Sequence, residues 1–302
     1  MRTTFVNTLI ELAKNDDKIF LITPDMGYSV LEEFRDKYPN QFLNTGIAEQ
    51  NTIGVAAGLA LSGHIVYVYD IIPFVTMRCY EQIRLDLAYN NANVKLVGIG
   101  AGLTYGSLGP SHHAIEDISI MRSIPNMQVL CPGDPIEVEE LVKRSYETYG
   151  PMYIRLGKNG EPNIHKKGTR IEIGKSVDVK IGNDFALFTT SNTLELAKNW
   201  VDEWEKEGVS VYLISMPTLK KFDQEKVEEV ISKNMPIMTL EEHSIIGGLG
   251  SIIAEIIADS GKAVKYKKIA INDEFSHHVG SHKYQREMFN LKIKPKIDFI
   301  KN

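Results

Sequence analysis

Residues 65–99 read IVYVYDIIPFVTMRCYEQIRLDLAYNNANVKLVGI, and this stretch decides the class of fold. It begins with the β-branched and aromatic run Ile65 to Tyr69, continues with an amphipathic run from Thr76 to Tyr89, and ends with the apolar run Val94 to Ile99. A strand, a helix and a second strand in this order form a βαβ unit, whose strands lie parallel. The stretch therefore predicts an α/β fold with a mostly parallel sheet.

The same alternation of strands and helices extends in both directions along the chain. It runs up to Leu156 and resumes at Asp184. Between them, Gly157 to Gly182 is rich in glycine, lysine and asparagine and shows little helical periodicity, which indicates a crossing between domains. The sequence therefore predicts two three-layer α/β domains, residues 1–160 and 183–302, joined by a linker at residues 161–182.

Composition narrows the classes of function. The chain has 302 residues, 43% of them apolar, and a formal net charge of -5, so a basic surface for nucleic acid is not expected. No apolar run approaches the roughly 20 residues that span a bilayer. Cys79 and Cys131 fit neither a metal-ligand spacing nor a disulfide framework. We therefore expect a cytoplasmic protein with reduced thiols that binds neither nucleic acid nor membrane.

Polar or glycine-rich segments follow several predicted strands. They are Thr23 to Asp25, Asn44 to Gln50, Asp70 to Phe74 and Gly98 to His113. Open α/β sheets bind ligands at the carboxyl ends of their strands. We therefore expect the functional site among these four segments.

Glu49 is the acid of the second segment. It precedes a predicted helix, Gln50 to Leu61, in which Gly54, Ala57 and Gly58 allow close approach of another helix. A buried acid in a first helical turn is a candidate for catalysis, but an acid also simply stabilises a helix N-terminus. Spacing alone favours the second interpretation.

Two histidines and three residues at helical spacing are further candidates. A glycine-rich loop delivers His112 and His113 to a helix start, where they can transfer protons or lie on the surface; a zinc site is disfavoured by their adjacency. Phe74, Met77 and Tyr80 recur at helical spacing, which by itself is typical of a core. The spacing decides neither case.

In these segments the sequence resembles the transketolase family, specifically its C-terminal half, over nearly the whole chain. The resemblance rests on the combination and order of Gly46-Ile47-Ala48-Glu49-Gln50, Gly109-Pro110-Ser111-His112 with Ile115-Glu116, Arg122-Ser123-Ile124-Pro125-Asn126-Met127 with Pro132, and Glu241-Glu242-His243 with Gly247-Gly248-Leu249-Gly250. It implies a thiamine-diphosphate pyrimidine-binding domain followed by the small C-terminal α/β domain of the family. It also implies a transferase of carbohydrate metabolism that moves a two-carbon ketol unit from a ketose to an aldose.

The resemblance further implies a divided active site. The other half of the family carries a Gly-Asp-Gly motif, followed by an asparagine, that binds diphosphate and magnesium. Here Gly133-Asp134 is followed by Pro135. Split members place the halves on separate chains. We therefore expect thiamine diphosphate as cofactor, Mg²⁺ held mainly by an N-terminal partner subunit, no metal ligand on this chain, and a heterotetramer built as a dimer of heterodimers.

The cofactor contacts follow from the same resemblance. Glu49 would hydrogen-bond N1′ of the aminopyrimidine ring and so promote loss of the proton at C2 of the thiazolium ring. Phe74 would stack on the pyrimidine with Tyr80 nearby, which replaces the core interpretation of Phe74. Ile47, in the glutamate motif, and Asp25, after the first strand, complete the predicted contacts.

The predicted substrate contacts are Ser29, His112, His113 and Arg155. His112, catalytic together with Glu49, would bind a hydroxyl of the donor sugar or the developing alkoxide, and His113 is the weaker candidate. Arg155 ends a predicted strand at a position that holds a sugar phosphate in the family, a task suited to a charge-assisted pair.

Two positions depart from the family pattern. Leu108 stands where the family carries an aspartate that senses the configuration of donor hydroxyls, and Gly100 stands where it carries a histidine that contacts phosphorylated substrate. Both lie in the pocket loop. An unusual or nucleotide-activated ketose is therefore a hypothesis for the substrate.

Two alternative functions remain open. One is a decarboxylating relative, similar to deoxyxylulose-phosphate synthase or to the beta subunit of a 2-oxoacid dehydrogenase, and the other is a non-catalytic assembly subunit. The Gly-Pro-Ser-His-His loop favours the transketolase over the dehydrogenase, and the lack of an N-terminal half on this chain argues against an intact synthase. Glu49 argues against a non-catalytic role.

Overall fold

Two β-sheets organise the chain in the computed structural model, which describes residues 1–158 and 160–298. The strands, in chain order, are β1 (Ile19–Thr23), β2 (Phe42–Asn44), β3 (Ile65–Ile71), β4 (Val94–Ile99), β5 (Gln128–Leu130), β6 (Met152–Leu156), β7 (Val177–Lys180), β8 (Phe185–Thr189), β9 (Val211–Ser215), β10 (Thr218–Lys220), β11 (Ile237–Ser244) and β12 (Tyr266–Ile271). Residues 299–302, the end of the predicted second domain, lie outside the described residues.

Helices flank both sheets. They are α1 (Arg2–Ala13), α2 (Glu32–Lys37), α3 (Glu49–Leu61), α4 (Ile72–Thr76), α5 (Tyr80–Gln82), α6 (Asp117–Ser123), α7 (Pro135–Glu147), α8 (Leu194–Lys206), α9 (Gln224–Ser232), α10 (Leu249–Ser260) and α11 (His282–Met288). A π-helical segment, Ile83–Tyr89, follows α5, and 3₁₀ turns occur at Pro39–Gln41, Gly106–Leu108, Pro110–His112 and Ser191–Thr193. Within the described ranges, no helix combines the length and the apolar character that crossing a membrane requires.

Both sheets are mostly parallel. The first has the strand order β10-β5-β6-β4-β3-β1-β2, and the second β12-β11-β8-β9-β7. The antiparallel pairs are at the edges: β10 pairs with β5, and β7 pairs with β9. β10 comes from the second half of the chain, so each half contributes to the first sheet. This architecture confirms the predicted α/β class.

The core explains why these runs form strands. Every residue of β4 and β6 is buried, as expected for parallel strands covered by helices on both faces. One apolar cluster joins α1 and α7 to one face of the first sheet through residues such as Phe5 and Leu141. Another joins α3 and α6 to the opposite face and continues through Phe188 and Ile214 into the second sheet. The two halves of the chain therefore share apolar packing.

The structure departs from the predicted elements at several places, and β2, α2 and α11 are among the elements that were not predicted. The predicted helix from Thr76 to Tyr89 is interrupted by a turn at residues 77–79, between α4 and α5. β7 lies inside the predicted linker, and β10 was not predicted. β7 and β10 are short edge strands whose pairing partners, not their own residues, define them. The exact domain limits stay a prediction.

Candidate active site

The carboxyl ends of β1, β3 and β4 lie side by side, because these strands are parallel neighbours in the first sheet. Asp25 follows β1, Asp70 is near the end of β3, and the loop that carries His112 follows β4. The segments expected to meet at one edge of the sheet therefore do so. This edge carries the candidate active site.

Glu49 is the first residue of α3 and is only 8% exposed. The turn before it depends on Gly46, whose φ of 72° favours glycine. The Asn44 side-chain oxygen accepts hydrogen bonds from the amides of Gly46 (2.9 Å) and Asp25 (3.0 Å), which joins the ends of β1 and β2. The result is a buried acid at a helix N-terminus. Ile47, nearby in the same turn, is 80% exposed.

Arg78 bridges the Glu49 carboxylate and the Phe74 ring. Its Nη1 donates a hydrogen bond to Glu49 Oε1, and its Cζ lies 4.4 Å from the centroid of the Phe74 ring. The Phe74 ring meets His112 edge-on at 5.1 Å between centroids, and His112 meets Tyr105 at 6.2 Å. A continuous row of side chains therefore links the predicted acid, the predicted aromatic platform and the predicted histidine.

The two adjacent histidines have different surroundings. His112 is partly exposed, and its Nδ1 lies 2.9 Å from Ser111 Oγ. His113 is buried, and neither of its ring nitrogens has a hydrogen-bond partner among the described residues. Burial lowers the pKa of both imidazoles, which favours their neutral form near neutral pH. His112 is therefore the histidine that a ligand can reach.

Asp70 is a second buried acid at this edge, to which the sequence assigned no role. It is 1% exposed, and neither carboxyl oxygen has a hydrogen-bond partner in the described part of the chain. Burial raises the pKa of Asp70 to about 7, and the Glu49 carboxylate adds to the rise. Asp70 therefore holds a proton up to about neutral pH. The feature of the sequence that could have pointed to Asp70 is its place as an acid in the otherwise apolar strand β3.

Asp25 and Ser29 lie in the loop after β1, with φ values of 62° and 60°. The Asp25 carboxylate accepts hydrogen bonds from the Asn44 amide group (3.0 Å) and the Tyr28 hydroxyl (3.2 Å), and the Ser29 amide donates to Glu32 (2.7 Å). Two non-glycine residues in this region of φ indicate a conformation imposed by its surroundings. Asp25, unlike Ser29, lines a cavity of about 120 Å³ that Asn44 also lines. The ligand-binding roles of Asp25 and Ser29 stay predictions.

Tyr80 lies outside the row of side chains that begins at Glu49. Its hydroxyl donates to the carbonyl of Ile120 (3.3 Å) and lies 3.0 Å from Ser123 Oγ. Its ring packs against the apolar cluster that contains α3 and α6. These contacts tie Tyr80 to α6, and its predicted place beside the cofactor ring stays a prediction.

Arg155 is a structural residue, which corrects its predicted role. It is 0% exposed, and its Nε donates to Asp117 Oδ2 at 2.8 Å. Its other nitrogens donate to Ser191 Oγ (3.0 Å) and to the carbonyls of Ala114 (2.8 Å) and Glu242 (3.1 Å). A guanidinium enclosed in this way has no face left for a sugar phosphate.

Lys158, three residues later, is the cation that sequence reasoning missed. It is partly exposed, and its Nζ lies 5.0 Å from the centroid of the Tyr105 ring, which contacts His112. It pairs with no carboxylate of the described residues and lines a cavity of about 250 Å³ together with His282, Arg286, Glu161 and Glu195. Lys158 is thus a partly exposed cation beside the ring that contacts His112.

The two departures from the family pattern have structural counterparts. A Cβ on Gly100, whose φ is 97°, would lie 2.2 Å from Cδ2 of Tyr105, so the Tyr105 ring fills the space that a larger side chain would need. Leu108 lies in a 3₁₀ turn and is half exposed. At the next residue, Gly109, an added Cβ would lie 3.6 Å from Val279 of the second half of the chain. The loop that carries His112 therefore has an aromatic ring against Gly100 and aliphatic side chains at Leu108 and beside Gly109.

Comparison with known families gives two matches. The family model described as "Transketolase, pyrimidine binding domain" matches residues 1–161, and "Transketolase, C-terminal domain" matches residues 174–292. Similar proteins include a putative transketolase C-terminal section of Methanocaldococcus jannaschii, 38% identical over 91% of this chain and 87% of that protein. One subunit of the apulose-4-phosphate transketolase of Phocaeicola vulgatus is 34% identical over 93% and 90%. A 6-deoxy-6-sulfo-D-fructose transketolase subunit of a Clostridium species is 33% identical over 97% and 91%.

Solved structures give the same fold. A split-gene transketolase, described as an inactive beta4 tetramer, superposes with a TM-score of 0.90 at 33% identity, over 99% of this chain and 96% of that chain. The transketolase of Campylobacter jejuni superposes with a TM-score of 0.82 at 18% identity, over 99% of this chain and 46% of that one, which shows the fold alone.

Proposed function

This chain belongs to the transketolase family, as its C-terminal half, and on that premise we propose that it forms the aminopyrimidine side of a thiamine-diphosphate site that a second subunit completes. The observation that carries the proposal is the buried Glu49 carboxylate, joined to the Phe74 ring by one flat group, the Arg78 guanidinium. The space between acid and ring thus accepts a planar group that is stacked on one side and hydrogen-bonded at its edge. An aminopyrimidine has this shape.

Each residue of the row has a distinct task in the proposed site. When bound, thiamine diphosphate supplies the carbon nucleophile that a ketose carbonyl requires. Glu49 would hydrogen-bond the ring nitrogen of the pyrimidine and hold the proton there, and Phe74 would fix the plane of the ring. His112, kept neutral by burial, would hydrogen-bond a sugar oxygen. Lys158 would attract a phosphate of the substrate.

The second subunit would carry the diphosphate and magnesium. Relatives of this chain are named as transketolase subunits, and the similar beta4 tetramer is described as inactive. Exposed apolar side chains lie just before and along α3 and on the segment Ile83–Tyr89 that packs against it, and they give the partner a surface to cover: Ile47, Leu61, Leu85 and Tyr89. We propose a dimer of heterodimers. Both cysteines are buried free thiols, which supports a cytoplasmic location.

The proposed reaction is transfer of a two-carbon ketol unit from a ketose to an aldose in specialised sugar metabolism. The names of two relatives include apulose-4-phosphate and 6-deoxy-6-sulfo-D-fructose, each an uncommon sugar. The Tyr105 ring beside His112, together with Leu108 at the position where the family carries an aspartate, supports a donor other than that of the ordinary enzyme. The identity of that sugar is the object of a substrate screen.

Hydrogen–deuterium exchange at C2 of the cofactor tests the proposal. The chain would be combined with an N-terminal transketolase subunit, thiamine diphosphate and Mg²⁺, and exchange followed by NMR. We expect fast exchange only with both subunits and a loss of at least about a hundredfold in Glu49→Gln, the scale of a general acid–base contribution. Glu81→Gln, an exposed glutamate paired with Arg84 at 3.6 Å, is the matched control. Normal exchange in Glu49→Gln would refute the role of this acid.

A further inference from the structure

Arg78 occupies a position between the two residues assigned to the cofactor ring. It lies in the turn at residues 77–79, between α4 and α5. Its Nη1 donates to the Glu49 carboxylate while its guanidinium lies over the Phe74 ring, 4.4 Å from the ring centroid. A guanidinium is flat, stacks on aromatic faces and donates hydrogen bonds in its own plane. Arg78 thus makes the stacking and the hydrogen bond that the proposed function assigns to an aminopyrimidine.

The Arg78–Glu49 ion pair also stabilises the free chain, because it provides the buried carboxylate with a cation. Glu49 is 8% exposed, and a buried carboxylate without a partner is strongly destabilising. Arg78 removes that penalty as long as no ligand touches Glu49. Among the described residues, the ion pair with Arg78 is the one that Glu49 forms. Any ligand that takes the Glu49 carboxylate must therefore replace this partner.

The Arg78 side chain can leave without unfolding its surroundings. The side chain is 46% exposed, and the backbone is anchored independently of it. The Arg78 amide donates to the carbonyl of Pro73 (3.3 Å), and the Arg78 carbonyl accepts from the Gln50 side chain (3.1 Å). Rotation about the side-chain bonds moves the guanidinium from Glu49 toward water, where its charge is solvated.

We infer that Arg78 is a built-in occupant of the cofactor-ring site, which holds Glu49 and covers Phe74 in the free chain and is displaced by an aminopyrimidine ring. The inference rests on the proposed function, because that function defines what the site binds. Its consequence is competition: the apparent dissociation constant of the cofactor is raised by the fraction of molecules in which the pair is closed.

Cofactor binding to the assembled protein tests the inference. The chain with its N-terminal partner would be titrated calorimetrically with thiamine diphosphate in the presence of Mg²⁺. Arg78→Ala and Arg78→Gln remove the competing cation, so both should bind more tightly, by about tenfold if the pair is closed in nine of ten molecules. Arg78→Lys, which keeps the charge and loses the flat stacking face, should fall between them and the wild type. Arg84→Ala, the matched control, should bind as the wild type does.

Thermal unfolding of the free full-length chain gives a second readout that does not depend on the cofactor. Arg78→Ala should lower the melting temperature because Glu49 is left unpaired, and Arg78→Ala combined with Glu49→Gln should recover most of that loss. Cofactor binding by Arg78→Ala that is unchanged or weaker would overturn the inference, as would a double variant no more stable than Arg78→Ala alone.

These outcomes are separable from failure of the proposed function. If Glu49→Gln loses C2 exchange while Arg78→Ala binds no more tightly, the proposed function stands and the occupant role is wrong. If Glu49→Gln exchanges normally, the cofactor site itself is misassigned.

Discussion

Two of the arginine–carboxylate pairs near the carboxyl ends of the first sheet's strands, Arg155–Asp117 and Arg78–Glu49, have opposite designs. In the Arg155–Asp117 pair both side chains are buried, and carbonyl and hydroxyl oxygens take further donors of the arginine. In the Arg78–Glu49 pair the carboxylate is buried, but the arginine is half exposed and its guanidinium rests on an aromatic face. The guanidinium nitrogens of Arg155 all donate hydrogen bonds within the protein, so a ligand cannot bind there. At the second pair, a ligand that displaces Arg78 can use both the Glu49 carboxylate and the face of the Phe74 ring.

This difference gives a criterion for reading such pairs. An ion pair whose hydrogen-bonding groups are all used inside the protein holds elements together: here Arg155 joins α6, β6 and the second half of the chain. An ion pair with an exposed partner can be exchanged for another one. Burial of the arginine, more than its place at a strand end, separates scaffold from site.

Arg155→Ala should lower the free energy of unfolding more than any other proposed variant. A small loss would contradict the contrast between a structural Arg155–Asp117 pair and an exchangeable Arg78–Glu49 pair. The substitution leaves Asp117 buried and unpaired, which typically destabilises a fold by about 3–5 kcal/mol. Urea unfolding of the free chain measures this. Arg144→Ala, which removes an exposed pair with Glu147, should change the free energy of unfolding by less than about 1 kcal/mol. A loss of similar size in both variants would mean that the Arg155 network is not structural support.

Asp70→Asn extends the comparison to a buried carboxyl group that forms no ion pair and no hydrogen bond with the described residues. The pKa of Asp70 is about 7, above its ordinary value of 3.8. The folded state therefore binds this proton more tightly than the unfolded state, and the free energy of unfolding should fall as pH rises from about 4 to about 7, by up to about 4 kcal/mol.

The asparagine variant should lose this part of the pH dependence and should exceed the wild type in stability at pH 8. Urea unfolding across that pH range is the measurement. Asp202→Asn, an exposed aspartate paired with Lys198, should keep the wild-type slope. An unchanged slope in Asp70→Asn would show that Asp70 is already ionised in the folded protein.

Gly100→Ala tests how tightly the Tyr105 ring packs against the backbone at Gly100, beside His112. An alanine there combines an unfavourable φ with a contact against the Tyr105 ring, so we expect a loss of about 1–3 kcal/mol. Gly208→Ala is the matched control, because Gly208 also has a positive φ, 80°, but nothing lies within 4 Å of an added Cβ. Equal losses would reduce the effect to backbone strain alone.

Lys158→Ala has the smallest expected effect, on a substrate rather than on the fold. If Lys158 meets a substrate phosphate, its loss should raise KM for phosphorylated donors by about tenfold, near 1.4 kcal/mol, with little change for unphosphorylated donors. Steady-state kinetics of the two-subunit enzyme measure this, with the exposed Lys167→Ala as control. The same increase for both donor types would assign Lys158 to packing against Tyr105.

The sequence predicted what is encoded locally. The alternation of apolar and amphipathic runs gave the α/β class, and the resemblance pointed to Glu49, Phe74 and His112, which the structure places in one row. Arg155 was misassigned because its partner, Asp117, lies 38 residues away and has no motif of its own. Arg78 was missed because its contact with Glu49 spans 29 residues and depends on the turn that interrupts the predicted helix.

The strand β10 determines how this protein can be divided. Thr218 and Lys220 pair with Leu130 and Val129, and the Cys131 amide donates to the carbonyl of Pro217 at 2.7 Å, so the second half of the chain covers an edge of the first sheet. A fragment ending near residue 160 would keep the pairing of β5 with β6 but would leave the side of β5 that faces β10 unpaired. Open strand edges invite edge-to-edge association between molecules. Such a fragment should therefore be poorly soluble, and expression of the undivided chain is the sound starting point for reconstitution.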